Sequence, residues 1–518
     1  MTSENSPDND ELSERGYFWW SDQPIPEGSL VPEKGAYGLL TISKNGVITL
    51  SLDGVLSGHP LDFFDQGRKI TKNIHGILKN DNRRVWLSDI MSNGGTFATA
   101  GLSYENFLAK YCIVGLDDII NHCENKQFTA INVDISSLGI WINPRPININ
   151  ETKKEINIKY KIKNDIILYN NKSYSAKIKF SLERGANLAI NNYNLSLQQK
   201  IYLFCEFEKI SLEFIIKEFQ KLEDFFLLVS GIEINFPWPS IFFKKESPPA
   251  KFYWHMIKID NKKRTLRDIL LPFPKIVIHI ENIFGAWQEK TEKFGPGIYL
   301  YLATRRGVKS YVENDFLNMV IGLESMHRIL EEKKINKKLQ TKIDRILKNI
   351  TCKKDKKFLS NILKLEPSLK ERIVDFFSSL PSDIITHNKL YEFAERCSKI
   401  RNDISHFGRT REKISYKEFI DQVIKIGDAF KILYHLKILQ EIGVFDEFLM
   451  FIFKESFHSF AIQMTLWEAG LLPEDPRKAV EQTLAQHKTA LEVAHRGEIA
   501  PDGASVAHKS GTLSGGEP

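Results

Sequence analysis

The sequence lacks the motifs that mark several common enzyme classes. Its 5 cysteines are scattered, with no Cys-x-x-Cys pair and no histidine at zinc-ligand spacing. This pattern argues against a structural zinc site and against a disulfide framework. No Gly-x-Ser-x-Gly elbow and no Gly-x4-Gly-Lys-Ser/Thr phosphate loop occurs, so the usual serine hydrolases and P-loop ATPases are excluded. We therefore expect neither a metal nor a cofactor.

Membrane and export signals are also missing. The densest apolar stretches, such as FFLLVSGIEINF, are interrupted or too short to cross a bilayer. The first residues, MTSENSPDNDELSERG, are acidic and polar and lack the basic-then-apolar pattern of a secretory signal. A cytoplasmic protein without membrane contact is expected. Residues 1–15 show no periodicity, and we expect them to be disordered.

Charge of one sign does not dominate the chain. The 71 basic and 65 acidic residues leave a net charge of +6, so any contact with RNA must depend on local basic patches. Hydrophobic residues make up 42% and charged residues 26%, as in globular proteins. A length of 518 residues is enough for two or three domains, each with its own core.

The first half of the chain has the pattern of β-structure. Short alternating runs are separated by turn residues, and Asn45-Gly46 between two of them is typical of a tight hairpin. One amphipathic helix interrupts the pattern near residues 211–231. We predict a β-rich domain over residues 16–305, folded as a sandwich or a barrel.

Three features of this half need a structural test. The aromatic run Tyr17–Trp20 is consistent with packing onto the sheet or with a platform for a sugar or protein ligand. His255 and His279 lie in apolar runs and are expected to be core residues rather than bases or metal ligands. The run LPFPKIVIHI, residues 271–280, has a strand-like pattern.

The second half has helical periodicity. Residues 306–462 are expected to form a bundle of four or five helices. A lysine-dense segment inside it has the pattern of a solvated helix face, but it is also a candidate RNA contact. Its candidate residues are Lys333, Lys334, Lys337 and Lys338. Residues 463–518 turn rich in Ala, Gly, Glu and Pro, and we expect a short helix near 476–495 and a flexible tail.

One short segment of the helical half, AERCSKIRNDISHFG, concentrates chemically useful side chains. Apolar residues recur before and within it at three- and four-residue spacing, which predicts one buried helix face. They are Leu390, Phe393, Cys397, Ile400 and Ile404.

Three polar residues of this segment are candidate catalytic residues. Asn402 and His406 are four apart and share a helix face. Arg401 is five residues from His406, about 140° around an α-helix, but its long side chain can reach the imidazole. Arg binds phosphate oxygens bidentately, and His exchanges protons near neutral pH. The segment thus indicates a phosphate-handling site, although an Arg and a His at this spacing also occur on solvated helix faces.

Resemblance to a known family favours the functional interpretation. RNDISHFG resembles the signature of the HEPN ribonucleases, in which an Arg, a polar residue and, after a short spacer, a His follow one another. The upstream segment FLNMVIGLESMHRILEE resembles the first helix of the HEPN module of ApeA-like antiphage proteins. The opening GYFWW, GLLTIS and GVITLSLDG segments resemble the N-terminal domain of the same proteins.

This resemblance implies a multidomain α+β protein, with a β-rich N-terminal domain that senses or restrains and a helical HEPN-like ribonuclease domain. It implies metal-independent cleavage of RNA, with transfer RNA as one candidate substrate, in antiphage defence by abortive infection. It also implies a homodimer or higher homo-oligomer in which two motif helices face each other, and a phage-derived trigger.

Two alternatives stay open. The helical domain is a catalytically inert RNA-binding or dimerisation module, or the β domain carries the main function as a ligand sensor.

Overall fold

The computed structural model describes residues 10–56, 69–96, 98, 100–116, 127–144, 147–189, 192–244, 247–257, 264–306, 310–330, 337–362, 367–407, 414–478, 481–482 and 485. The strands in this part of the chain are β1 (Asp10–Trp20), β2 (Ala36–Ser43), β3 (Ile48–Leu52), β4 (Lys69–Ile70), β5 (Ile74–Leu78), β6 (Arg84–Thr96), β7 (Tyr104–Gly115), β8 (Phe128–Asp134), β9 (Ile147–Glu151), β10 (Ile156–Tyr160), β11 (Ile166–Asn170), β12 (Tyr174–Ala189), β13 (Asn192–Ile210), β14 (Ser240–Phe242) and β15 (Ala250–Trp254).

The helices of the described residues are α1 (Gly139–Ile142), α2 (Leu212–Ser230), α3 (Phe273–Ile276), α4 (Ile280–Phe294), α5 (Pro296–Arg305), α6 (Val312–Leu330), α7 (Lys337–Lys348), α8 (Lys353–Ile362), α9 (Leu369–Phe377), α10 (His387–Asn402), α11 (Tyr416–Glu441), α12 (Asp446–Lys454) and α13 (Ser459–Glu468). The predicted order, a β-rich domain followed by a helical one, is confirmed. No helix of the described residues is long and apolar enough to cross a membrane.

A closed barrel forms the start of the β-rich domain. Its antiparallel strands pair in the order β1-β2-β3-β7-β6-β5, and β5 pairs back onto β1. Closure leaves no free edge within this ring. Of the two predicted forms, a sandwich or a barrel, this part of the domain is therefore a barrel.

The aromatic run in β1 packs into this barrel. Phe18 and Trp19 are buried, and the Trp20 indole donates to the Leu56 carbonyl at 2.8 Å. Tyr17 is half-buried beside the exposed Tyr37. The packing interpretation of this run is confirmed, and the buried faces of Phe18 and Trp19 are not available as a ligand platform.

The sheet continues beyond the barrel from strand β7, which also pairs with β15. From there the order runs through β14, β8, β13, β12 and β11. Together with β4, which pairs with β6, these strands form a 13-stranded sheet in the described part of the chain. Helix α2 packs against this second part, with Phe219 edge-on to Trp254 and Phe226 edge-on to Trp141. The predicted helix is confirmed: Ser211 caps its N-terminus by accepting from the Phe214 amide, and Gly231, at φ 77°, ends it.

The helical layer begins earlier in the chain than its predicted boundary at residue 306. Helix α5 crosses α6 closely, because a Cβ on Gly297 would lie only 2.8 Å from the Cβ of Met326. The Tyr434 hydroxyl of α11 donates to the Gly297 carbonyl at 2.7 Å. Residues 296–305 thus pack as part of the bundle.

Several other expectations need correction. Strand β1 starts at Asp10, so residues 10–15 belong to the sheet, while residues 1–9 lie outside the description. Residues 271–280 contain helix α3 and the start of α4 rather than a strand, since Pro272 and Pro274 suit a helix start better than a ladder. His255 is exposed and His279 is half-buried against Phe445, so neither is a core residue.

The end of the bundle lies beyond residue 462. Helix α13 crosses that position, and Leu466 and Leu471 are fully buried. Of the predicted helix near 476–495, residues 476–478, 481–482 and 485 are helical. The rest of that stretch and the tail lie outside the described residues.

Gly46→Ala is expected to destabilise the protein more than Gly28→Ala. Both glycines have a positive φ, +74° and +78°, so a side chain costs about 1–2 kcal/mol of backbone strain at either position. At Gly46 a Cβ would also lie 2.1 Å from the Trp254 carbonyl oxygen, whereas nothing lies within 4 Å of one at Gly28. Melting temperatures measured by circular dichroism test this. Equal decreases in melting temperature for the two variants would show that a side chain at position 46 does not clash with the Trp254 carbonyl.

Candidate active site at the end of helix α10

Helix α10 is held in the bundle by the apolar face that its sequence predicts. Leu390, Phe393, Cys397 and Ile400 are buried, and Ile404 packs partly against the same core. Burial raises the pKa of the Cys397 thiol well above its usual range. This cysteine is therefore a packing residue. The buried face fixes the direction in which the polar residues at the end of the helix point.

The helix changes its winding where the candidate residues begin. Residues Asp403–Phe407 form a π-helical turn directly after α10. Because π-helical hydrogen bonds join residues i and i+5, this turn holds more residues than an α-helical one. Residues five apart then lie near each other on one face. The separation of about 140° expected for an α-helix is therefore wrong for Arg401 and His406.

The wide turn brings the predicted Arg and His into contact. The Arg401 Nη1 lies 3.1 Å from the His406 Nε2. The same Nη1 donates to the Asn402 Oδ1 at 3.3 Å. All three predicted residues thus lie together, and the Asn402 side chain contacts the guanidinium rather than the imidazole.

This contact defines which ring nitrogen of His406 is free of a proton. A guanidinium has five N–H donors and no acceptor. For Arg401 to donate to His406, the Nε2 must carry the lone pair, and the ring proton then lies on Nδ1. A neutral imidazole with Nε2 as acceptor is the form that can remove a proton.

The site is open to solvent. His406 and Ser405 are exposed, and Arg401 and Asn402 are half-buried. Asp403, between Asn402 and His406 in the chain, is buried. An exposed His beside a half-buried Arg suits a macromolecular substrate better than a small enclosed ligand.

The lysine-rich segment contributes an exposed basic surface. Lys333 and Lys334 lie outside the described residues, and Lys337 and Lys338 begin helix α7. Most basic side chains that follow along α7 and α8 are exposed. They include Lys342, Arg345, Lys348, Lys353, Lys354, Lys356 and Lys357. Both earlier interpretations of this segment, solvated face and RNA contact, stay compatible with that exposure.

Metal-ligating side chains do not gather in the described part of the chain. No group of three or more His, Cys, Asp or Glu residues there is arranged to hold a metal ion. The free cysteines described are Cys112, Cys205, Cys352 and Cys397, of which Cys352 is exposed.

Two buried networks of polar side chains were not predicted from the sequence, because their members lie far apart in the chain. His435 in α11 shares a 2.6 Å hydrogen bond with the Tyr301 hydroxyl, and burial together with the nearby Arg305 lowers its pKa to about 3. The imidazole therefore stays neutral in the core.

The second network joins the two domains. Arg306, directly after α5, donates to Asp224 of α2 from Nε at 3.1 Å and from Nη2 at 2.5 Å. Its Nη1 lies 3.6 Å from the Glu223 carboxylate. Burial raises the pKa of Glu223 to about 7, although Arg306 and the Phe236 amide oppose the shift. The sequence indicated only an amphipathic helix here.

Two family models match the chain. The model described as ApeA N-terminal domain 1 matches residues 13–287, more than half of the sequence, and the model described as Apea-like HEPN matches residues 317–448. Searches among curated proteins and among solved structures gave no match.

The HEPN match contains the whole candidate site, from helix α10 to His406. HEPN domains are generally ribonucleases that bind RNA and dimerise, and the two matched domains together fit an antiphage defence protein. The barrel and sheet account for the first match and the bundle for the second. The chain belongs to the ApeA-like HEPN proteins.

Proposed function

We propose that this protein is an antiphage ribonuclease that cleaves RNA without a metal ion through Arg401 and His406. The observation that carries the proposal is the 3.1 Å contact between the Arg401 Nη1 and the His406 Nε2 on an exposed π-helical turn. It lies inside a domain whose family generally cleaves RNA. π-helical turns also occur frequently at functional sites.

The chemistry uses the nucleophile that RNA itself carries. A base removes the proton of a ribose 2′-OH, and the 2′-oxygen forms a bond to the adjacent phosphorus. The bond between phosphorus and the 5′-oxygen breaks, and an acid protonates that oxygen as it leaves. The products are a 2′,3′-cyclic phosphate and a free 5′-hydroxyl. No redox step or further reactant is needed.

Each predicted residue has a role in this reaction. His406 acts through Nε2, the nitrogen that accepts from Arg401 in the free protein. When RNA binds, the phosphate oxygens attract the Arg401 guanidinium, which releases the imidazole and stabilises the charge that develops on the phosphate. Asn402 holds the guanidinium from its other side. Arg401 and His406 thus contact each other in the free protein. When RNA is bound, Arg401 contacts the phosphate and His406 is free to transfer a proton.

A second copy of the chain completes the site in this proposal. One chain supplies one His406, whereas the reaction needs both a base and an acid. Because His406 is exposed at the end of α10, a partner's motif helix can face it across one phosphate group. This arrangement agrees with the tendency of HEPN domains to dimerise.

Replacing the paired residues is expected to abolish cleavage. His406→Ala and Arg401→Ala should each lower the rate by about 10²–10⁴-fold, the usual contribution of a positioned proton-transfer or charge-stabilising group. Arg401→Lys should restore only part of it, since lysine keeps the charge but not the planar fork. His387→Ala, at the opposite, exposed end of α10, is the matched control and should cleave normally.

The measurement is a gel of total RNA from cells expressing each variant, with and without phage, and an assay of the purified protein in EDTA. New RNA ends are tested for 2′,3′-cyclic phosphate. If RNA stays intact under phage challenge, or if His406→Ala cleaves as wild type does, the motif is structural. RNA that is bound in a salt-dependent manner but never cut would favour the inert RNA-binding alternative.

We further propose that the β-rich domain restrains the ribonuclease until infection supplies a trigger. Arg306 and the pairing of Lys290 with the Glu441 backbone carbonyl tie the helical layer to the preceding domain. These contacts fix α5 and α11, and α11 follows the motif turn in the chain. A restraint on these helices is therefore in a position to act on the site.

Removing residues 1–294 should raise toxicity in cells without phage. This truncation keeps α5, because α5 packs on α6 and α11 and its loss would expose their core faces. Growth after induction is compared with that of the full chain and of the same truncation carrying His406→Ala. A truncation that is folded by circular dichroism, yet no more toxic than the full chain, would contradict the restraint.

A further inference from the structure

A cavity lies beside the joint between the two domains. It has a volume of about 420 Å³, within the range of small-ligand sites, which span about 300–1,000 Å³. Its walls come from helix α2, from residues 233–236 that follow it, from residues 254–257 at the end of β15 and just after it, and from Arg306. It is separate from Arg401 and His406, and no motif in the sequence pointed to it.

Aromatic side chains give this cavity an apolar wall. Phe219, Phe236 and Trp254 all line it, and Phe219 stands edge-on to Trp254 with ring centroids 5.2 Å apart. Such edge-to-face packing fixes the rings in place. Aromatic faces attract both apolar groups and cations.

Among the described residues that line the cavity, two are carboxylates and one carries a guanidinium. Glu223 and Glu233 line the cavity, and Asp224 follows Glu223 in the chain. The Arg306 guanidinium contacts the carboxylates of both Asp224 and Glu223. Buried charges need partners to offset their desolvation. The Arg306 contact with Asp224 is a hydrogen bond, whereas its 3.6 Å contact with Glu223 is longer than one.

Glu223 is therefore the incompletely paired member. Glu223 as a whole is 8% exposed, and it lines the cavity. The Oε1 accepts from the Phe236 amide at 3.0 Å, while the Oε2 has the long contact with Arg306. A carboxylate oxygen can accept two hydrogen bonds, so Oε2 has room for a donor from a ligand.

We propose that this cavity binds an organic cation, a guanidinium or ammonium group on an apolar stem, with the cationic group paired to Glu223 and the stem against Phe219 and Trp254. An anion would meet two lining carboxylates, and a purely apolar ligand would leave Glu223 further desolvated. The proposed site is independent of the RNA-cleaving activity. The cation has two sources, a free amine or guanidine and an Arg or Lys side chain of another polypeptide.

Calorimetric titration of the full-length protein tests the proposal. The probes are agmatine for the free source and acetyl-Gly-Arg-Gly-amide for the polypeptide source, with the peptide in which citrulline replaces Arg as the neutral control. Citrulline has nearly the same shape without the charge. We expect at least one cationic probe to bind, and its neutral counterpart to bind at least about tenfold more weakly.

A matched pair of variants locates the binding. Glu223→Gln keeps the size of the side chain but removes its charge, and should weaken the cationic probe by at least about tenfold. Glu213→Gln, at the exposed start of the same helix, should bind as wild type does. If neither cationic probe binds at about 10 mM, or if citrulline and Arg peptides bind equally, the proposal fails. RNA cleavage by the same samples reports on the ribonuclease separately.

Cation binding at this site should tighten as the pH rises from 6 to 8. Glu223 has a pKa of about 7 because of burial, so below that pH the cation must displace a proton before it can pair with the carboxylate. Asp224, Glu233, His255 and Arg306 also face or adjoin the site. The pH dependence should therefore persist in His255→Gln and disappear in Glu223→Gln; persistence in Glu223→Gln would overturn the assignment.

Discussion

One guanidinium, shared by two buried carboxylates, joins the two domains. Arg306 lies at the end of the first helix of the bundle, and Asp224 and Glu223 lie on the main helix of the β-rich domain. Placing three ionisable groups in the interior is costly, but removing one partner of such a set costs more, about 3–5 kcal/mol. The joint is thus better suited to fixing one arrangement of the domains than to adding stability.

The consequences of that joint extend through close helix packing. Helix α5 ends at Arg305. Its Gly297, which has no side chain, allows Met326 of α6 to pack closely against it. Tyr434 of α11 bonds to the same glycine's carbonyl. Each of these contacts is specific to one register of the helices, because interiors are packed too densely for small continuous shifts. A change at the joint must therefore be accommodated by moving whole helices.

Local pattern predicted those parts of the structure that local physics determines. The Asn45-Gly46 turn, helix α2 and the buried face of α10 each follow from a few neighbouring residues. The π-helical turn did not follow, since α- and π-helical winding place the same apolar residues on similar faces. Residue type and spacing were enough to select Arg401 and His406 as candidates, but the geometry that joins them depends on that turn.

The buried charge cluster was beyond sequence inspection for a different reason. Arg306 and Asp224 are 82 positions apart, and in sequence each looks like an ordinary solvated charge. The expectation of a strand at residues 271–280 failed because apolar alternation was weighed above two prolines, which cannot donate to a sheet ladder. His255 was misjudged because apolar neighbours do not ensure burial when the chain leaves strand β15 at Trp254.

The two polar systems of this protein differ in the physical reason for their reactivity. His406 is exposed and Arg401 is half-buried, so their pairing is weak enough for RNA phosphates to replace it. Glu223 is buried, so its ionised form depends on a cation beside it. Arg306 is such a cation, and it also joins the helical layer to helix α2. A ligand cation that pairs with Glu223 would leave Arg306 to Asp224 alone. The binding of such a ligand would then change the strength of the contact that joins the two domains. A sensing site needs this kind of coupling.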